Sequence, residues 1–173
     1  MQAGREVPGP RMHHTLAVMG DDSILLFGGK GAAGACDASV WQFTPSTGVW
    51  RRLKRSKNKG MDGPQARWGH SFTPCRASDG PAVLVLGGRD EHLVFADPYL
   101  LTIDPVGKVL WSRPDFALPE PRAFHATAYV RNRAVVVFGG MNLHTDAIPT
   151  VRKVRGGTHI MRGCSQLMFP SLV

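Results

Sequence analysis

Three stretches of the chain set apolar and polar positions in one recurring order. HTLAVM, His14 to Met19, alternates so that His14, Leu16 and Val18 fall on one face, the two-residue period of a half-buried strand. Continuous apolar runs follow in each copy: ILLF before Gly28, VLVL before Gly87 and VVVF before Gly139. They are too short for helices and lack alternation, so they read as strands buried on both faces between stacked sheets. VWQFTP (Val40 to Pro45) and YLLTIDP (Tyr99 to Pro105) form a third element, and the turns STG and VGK lead to a fourth, VWRRL or VLWSR. The pattern therefore predicts units of four short strands. Asp21-Asp22 and Asp79-Gly80 supply turn chemistry between the first and second strands, where the last unit has Arg131-Asn132-Arg133.

The anchors of this pattern recur about every 55 residues, a period that signals a repeat array. They are Arg11, Arg67 and Arg122; His14, His70 and His125; and the pairs Gly28-Gly29, Gly87-Gly88 and Gly139-Gly140. Trp50 and Trp111 close the first two units. An Arg-x-x-His group, apolar strand, Gly-Gly, aromatic strand and Trp resembles the kelch repeat, over about Pro8 to Val154. The resemblance implies a β-propeller with one four-stranded sheet, or blade, per repeat.

The expected fold is all-β, a kelch-type β-propeller that is incomplete, with about two and a half four-stranded blades. Repeats span 1–155, with blade one at about 8–55, blade two at about 64–116 and a partial blade three at about 119–155. After Gly140 there is no Trp and no alternating outer strand, and Pro149 stands where a third strand would need its N–H. Residues 156–173 read as a divergent, mobile tail. Propellers close with about four to eight blades. The chain is thus a piece of a longer propeller, a truncated product with a divergent tail, or an open array with unsatisfied end faces.

Composition agrees with short elements and many turns: 173 residues with Gly 20 and Pro 13. No apolar stretch approaches the ~20 residues of a membrane span, and MQAGREVPGP has no apolar core of a signal peptide. Cys36, Cys75 and Cys164 lack zinc-ligand spacing, so reduced thiols in a cytoplasmic or nuclear setting are expected. The net charge of +8 comes from two runs, RRLKRSKNK and RKVRGGTHIMR, added to a near-neutral body. The first run holds Arg51, Arg52, Lys54, Arg55, Lys57 and Lys59, in an inter-blade connection about six residues longer than the next one. It reads either as an extended surface loop or as a patch for nuclear import or an anionic partner.

The equivalent His14, His70 and His125 invite a metal-ring reading. No carboxylate or cysteine recurs beside them, so each is expected to serve its own blade, with no metal or cofactor implied. Arg11, Arg67 and Arg122 are expected to hold the loop that enters the first strand. Some kelch-like propellers are copper-radical oxidases, but Tyr99 and Tyr129 both lie inside expected strands. No hydrolase, nucleotide or metalloprotease motif is present, and the Gly-Gly pairs do not open helices, so they are poor phosphate cradles.

Topology singles out a rim. The first and second strands of a unit are antiparallel, so the loop entering one and the loop leaving the other share an end. Met12, His13, Trp68 and Phe124 occupy the first loop class, and Lys30, Arg89, Asp90 and Asn142 the second. In kelch proteins that act as adaptors these loops supply much of the ligand-binding surface, and aromatic, Arg and Asn side chains suit an interface. The expected function is a non-catalytic scaffold that binds a protein or peptide partner. The alternative is an accessory propeller of a larger enzyme, such as a wybutosine-type tRNA-modifying methyltransferase. Direct nucleic-acid binding by the basic runs is a weaker third reading, because it needs aromatic stacking platforms on the same face.

Overall fold

The computed structural model describes residues 6–32, 38–56, 61–130, 134–142 and 151–153. Among them the regular structure is entirely β. Blade one is a four-stranded antiparallel sheet of β2 (Thr15–Val18), β3 (Ile24–Phe27), β5 (Val40–Thr44) and β6 (Val49–Arg52), after a short β1 (Arg11–Met12) that pairs with β4 (Lys30–Gly31). Blade two repeats the order with β7 (Ser71–Ala77), β8 (Gly80–Leu86), β9 (Pro98–Ile103) and β10 (Val109–Ser112). Blade three contributes β11 (Ala126–Val130), β12 (Ala134–Phe138) and β13 (Val151–Lys153).

Strand β13 corrects the expectation drawn from Pro149. It pairs antiparallel with β12, Phe138 opposite Val151 and Val136 opposite Lys153. A proline just upstream of a strand removes no donor from the ladder, so the third strand forms past it. Pro149 itself and the tail at 156–173 lie outside the described residues.

The apolar runs divide their side chains between two inter-blade cores, which is why they lack alternation. Leu25, Phe27 and Ala17 of blade one meet Phe72, Val83, Val85, Leu101 and Trp111 of blade two. Leu84, Leu86 and Leu100 on the other face of blade two meet Val135 and Val137 of blade three. Trp111 packs edge-on against Phe27 at 5.5 Å, sealing one sheet against its neighbour. Gly63 lies so close to its indole that a Cβ there would be 2.5 Å from Nε1.

The basic run is not a plain loop. Arg51 and Arg52 belong to β6, and the next residues run parallel to the outer edge of blade two, with Arg55 opposite Val109. Val109 N–H donates to the Lys54 carbonyl and Ser56 N–H to the Val109 carbonyl, both at 2.9 Å. The backbone thus covers an edge strand while the side chains of Arg51, Arg52, Lys54 and Arg55 stay in solvent. Arg55 pairs with Asp62 at 2.5 Å. Lys57 and Lys59 lie outside the described residues.

Candidate partner-binding rim

The repeat-defining residues build a joint that is written twice. Within each blade the arginine donates to the carbonyl of the first glycine: Arg11 to Gly28 at 3.1 Å, Arg67 to Gly87 at 2.9 Å and Arg122 to Gly139 at 3.0 Å. Between blades the second glycine donates to the next arginine's carbonyl, Gly29 to Arg67 at 3.0 Å and Gly88 to Arg122 at 2.8 Å. Gly28 has φ 65, and a Cβ there would lie 2.5 Å from both the Arg67 carbonyl oxygen and His70 Cε1. Only glycine allows that approach.

The histidines correct the expectation that each serves its own blade. His70 Nε2 shares a 2.6 Å hydrogen bond with the Thr15 hydroxyl of blade one. His125 Nε2 shares one of 3.1 Å with the Ser71 hydroxyl of blade two. They are clasps between blades, and the equivalent His14 of blade one is exposed. Burial, with the Arg67 guanidinium and neighbouring imidazoles adding to it, pulls the His70 pKa down to about 3. Burial and Arg122 take that of His125 to about 4. Both rings are therefore neutral at pH 7 and committed to packing.

Arg67 is fully buried, and Asp97 answers its charge at 2.9 Å while the Phe95 ring lies 4.1 Å from its guanidinium carbon. Neither Asp97 nor Phe95 stands out in the sequence. Thr15 and Ser71 do carry a signal, since each is a hydroxyl residue directly after a repeat histidine.

At the end of the blades nearest these joints, the two loop classes pair with each other. Met12 lies opposite Lys30, Trp68 opposite Arg89 and Ala123 opposite Met141. The residue before each repeat histidine is left-handed in all three blades: His13 at φ 55, Gly69 at φ 62 and Phe124 at φ 59. A backbone relay joins them, Gly69 N–H to the His13 carbonyl at 3.2 Å and Phe124 N–H to the Gly69 carbonyl at 2.6 Å. Because Gly69 has no side chain, the rings from blades one and three meet over it, edge to face at 5.1 Å. His13, Phe124 and Met12 are exposed around this contact, with Met141 beside them.

Trp68 and Asp90 are held by their neighbours rather than displayed on the rim. Trp68 is only 6% exposed, held between neighbours, with Lys30 Nζ 4.6 Å and Arg89 Cζ 5.6 Å from its ring. It is a support for two cations and not a free anchor, because the blade two loop folds it inward against blade one. Asp90 is a turn cap: its carboxylate accepts from the amides of His92 at 2.8 Å and Leu93 at 2.7 Å. Burial works against its ionisation, yet those amides hold its pKa below the ordinary carboxylate value. Asn142 is half-buried, four residues after β12.

Among the described residues no cluster of His, Cys, Asp and Glu is arranged to hold a metal, and no helix is long and apolar enough to cross a membrane.

Blades of antiparallel strands joined by Arg–Gly-Gly and His–hydroxyl links define a kelch-type propeller unit. The chain belongs to the kelch-repeat family: the KLHDC2/KLHL20/DRC7 Kelch-repeats domain matches residues 1–151. It is 28% identical to beta-scruin of Limulus polyphemus over 80% of this chain and 14% of that protein. It is 31% identical to the N-(sulfonatooxy)prop-2-enimidothioate sulfolyase of Thlaspi arvense over 82% of this chain and 38% of that one. Mouse Kelch domain-containing protein 1 is 29% identical over 53% of this chain and 21% of its own length. The chain thus spans well under half the length of these relatives.

Proposed function

We propose that the chain is a non-catalytic scaffold that binds a protein or peptide partner through the loop rim. The observation that carries this reading is the His13–Phe124 pair. Two exposed rings sit on left-handed, non-glycine backbone, a conformation that costs about 1–2 kcal/mol per residue and persists only where surrounding structure imposes it. Strain of this kind, fixed by hydrogen bonds across three blades, presents apolar and cationic side chains in a rigid array. Rigid presentation lowers the ordering cost of binding. Kelch-repeat domains generally mediate protein–protein interaction, which fits this arrangement.

The sulfolyase relative brings a lyase reading, but the likeness lies in blades that scaffolds and enzymes share, and a common fold does not transfer an activity. The accessory-propeller alternative has no observation in its favour among the described residues.

Selection of a displayed random-peptide library against the purified chain tests the scaffold reading. Binders are expected to weaken at least about tenfold against Phe124→Ala or Met12→Ala, the range of an interface anchor. They should be unaffected by Thr47→Ala at the opposite end of blade one. Binders indifferent to both rim changes would refute the reading.

A further inference from the structure

The segments that lead from one blade to the next pack differently at the two joints. Leu118 stands four residues before Arg122 and is buried among the side chains that fill the joint between blades two and three. Its N–H donates to the Ala96 carbonyl at 3.0 Å, which pins it beside the start of β9. Gly63 holds the same place four residues before Arg67, and Ala38 matches Ala96, two residues ahead of β5. Gly63 brings no side chain to the first joint, and among the described residues its N–H makes no bond to Ala38. It lies instead against the Trp111 indole.

A cavity of about 500 Å³ remains there, bordered by Ala38, Gly63 and Pro64, the counterparts of Ala96, Leu118 and Pro119. Its walls come from blades one and two and the segment between them. The floor is apolar, because Val40, Leu53, Val109 and Trp111 are all buried. The mouth is cationic: Arg52 and Arg55 line it from the solvent side, and no Asp or Glu is among the described lining residues. Arg52 has no hydrogen-bond or ion-pair partner among the described residues. Arg55 is paired with Asp62, but the two side chains are 55% and 89% exposed, and such surface pairs contribute little. An apolar floor under fixed charges, at a volume within the ~300–1,000 Å³ of ligand sites, suits a small amphiphilic anion.

We infer that this cleft between blades one and two binds an alkyl carboxylate. The alkyl chain takes the place that the Leu118 side chain fills at the next joint, and the carboxylate meets Arg52 and Arg55. Each CH₂ withdrawn from water onto the floor tightens binding by up to about fourfold. The head group gains charge-assisted hydrogen bonds from guanidinium groups that otherwise face solvent. A cationic head group of the same size meets like charge at the mouth and is rejected. No residue of the loop rim lines the cleft, so the inference is independent of the scaffold reading.

Isothermal titration calorimetry of octanoate into the purified chain is expected to show one saturable site. Affinity should rise with each CH₂ from butyrate to octanoate, and octylamine should not bind. Arg52→Gln combined with Arg55→Gln should weaken octanoate at least about tenfold, the range of a lost hydrogen bond to a charged group. Both side chains are exposed, so the thermal midpoint should stay near that of the wild type. Ala38→Trp, at an exposed position, should fill the cleft and abolish binding while the chain stays folded. Absence of saturable octanoate binding, a flat chain-length series, equal binding of octylamine, or full octanoate affinity in either variant would overturn the proposal.

Discussion

The rings of His13 and Phe124 meet edge to face at 5.1 Å although they belong to blades one and three, and Gly69 of blade two lies beneath them. Their contact depends on three left-handed positions, one in each blade, and on the absence of a side chain at the middle one. Gly69→Ala is expected to destabilise the chain by about 1–2 kcal/mol, because φ 62 strains alanine and its Cβ would lie 2.8 Å from Phe124 Cε1. His13→Gly relieves backbone strain and loses one ring contact of about 0.5–1.5 kcal/mol, so its urea midpoint should barely move. A fall in binding with no fall in stability would separate a recognition role for His13 from a structural one.

Stability is expected to depend on pH through the two clasps. The folded pKa values of His70 and His125, about 3 and about 4, lie below the ordinary 6.5. As pH falls through 6.5 the unfolded chain takes up protons that the folded chain refuses. The contribution is therefore full above about pH 6.5 and is lost toward pH 3–4. Each histidine adds up to about 1.4 kcal/mol per pH unit in that window. Urea midpoints from pH 7.5 to 5 should fall, and His70→Gln should flatten the slope. A midpoint independent of pH over this range would show that the imidazoles are not held neutral.

The glycine pairs should respond unequally. Gly28→Ala drives a Cβ into the Arg67 carbonyl and His70, so it should open the first joint and cost more than the backbone strain alone. Gly139→Ala, with φ 70 and nothing within 4 Å of its Cβ, should cost only about 1–2 kcal/mol. Equal losses at both sites would mean that the face of blade three is covered.

Asp97→Ala is expected to be among the most damaging single changes. It leaves the fully buried Arg67 guanidinium without its carboxylate, a loss of about 3–5 kcal/mol for a broken buried pair. Chemical denaturation reads this directly, and a loss below about 1 kcal/mol would mean that water reaches Arg67.

Replacing Arg51, Arg52, Lys54 and Arg55 with Gln should leave the thermal midpoint nearly unchanged, because the parallel pairing at Val109 uses backbone groups. We propose that the same change weakens salt-sensitive retention on a polyanion column or nuclear accumulation. A large drop in midpoint would assign these side chains to the fold.

Much of this architecture is legible one residue at a time. Strand positions follow from apolar periodicity, and the repeat follows from Arg11, His14 and Gly28 reappearing in register at Arg67, His70 and Gly87. Such features are local, since backbone sterics and side-chain alternation act within a few residues. The third strand of blade three was hidden because a proline argues only about its own missing N–H, while β13 begins beyond it.

Contacts between blades are another matter. Which blade receives His70, why Trp68 folds inward under Lys30 and Arg89, and which carboxylate answers Arg67 all depend on how neighbouring sheets stack. The partners lie tens of residues apart, and no spacing rule joins them. The chain's own order thus dictates what each blade is and where its faces point. Only the stacked structure decides which faces are filled, because burial and hydrogen bonding between sheets are set by distance in space and not along the chain.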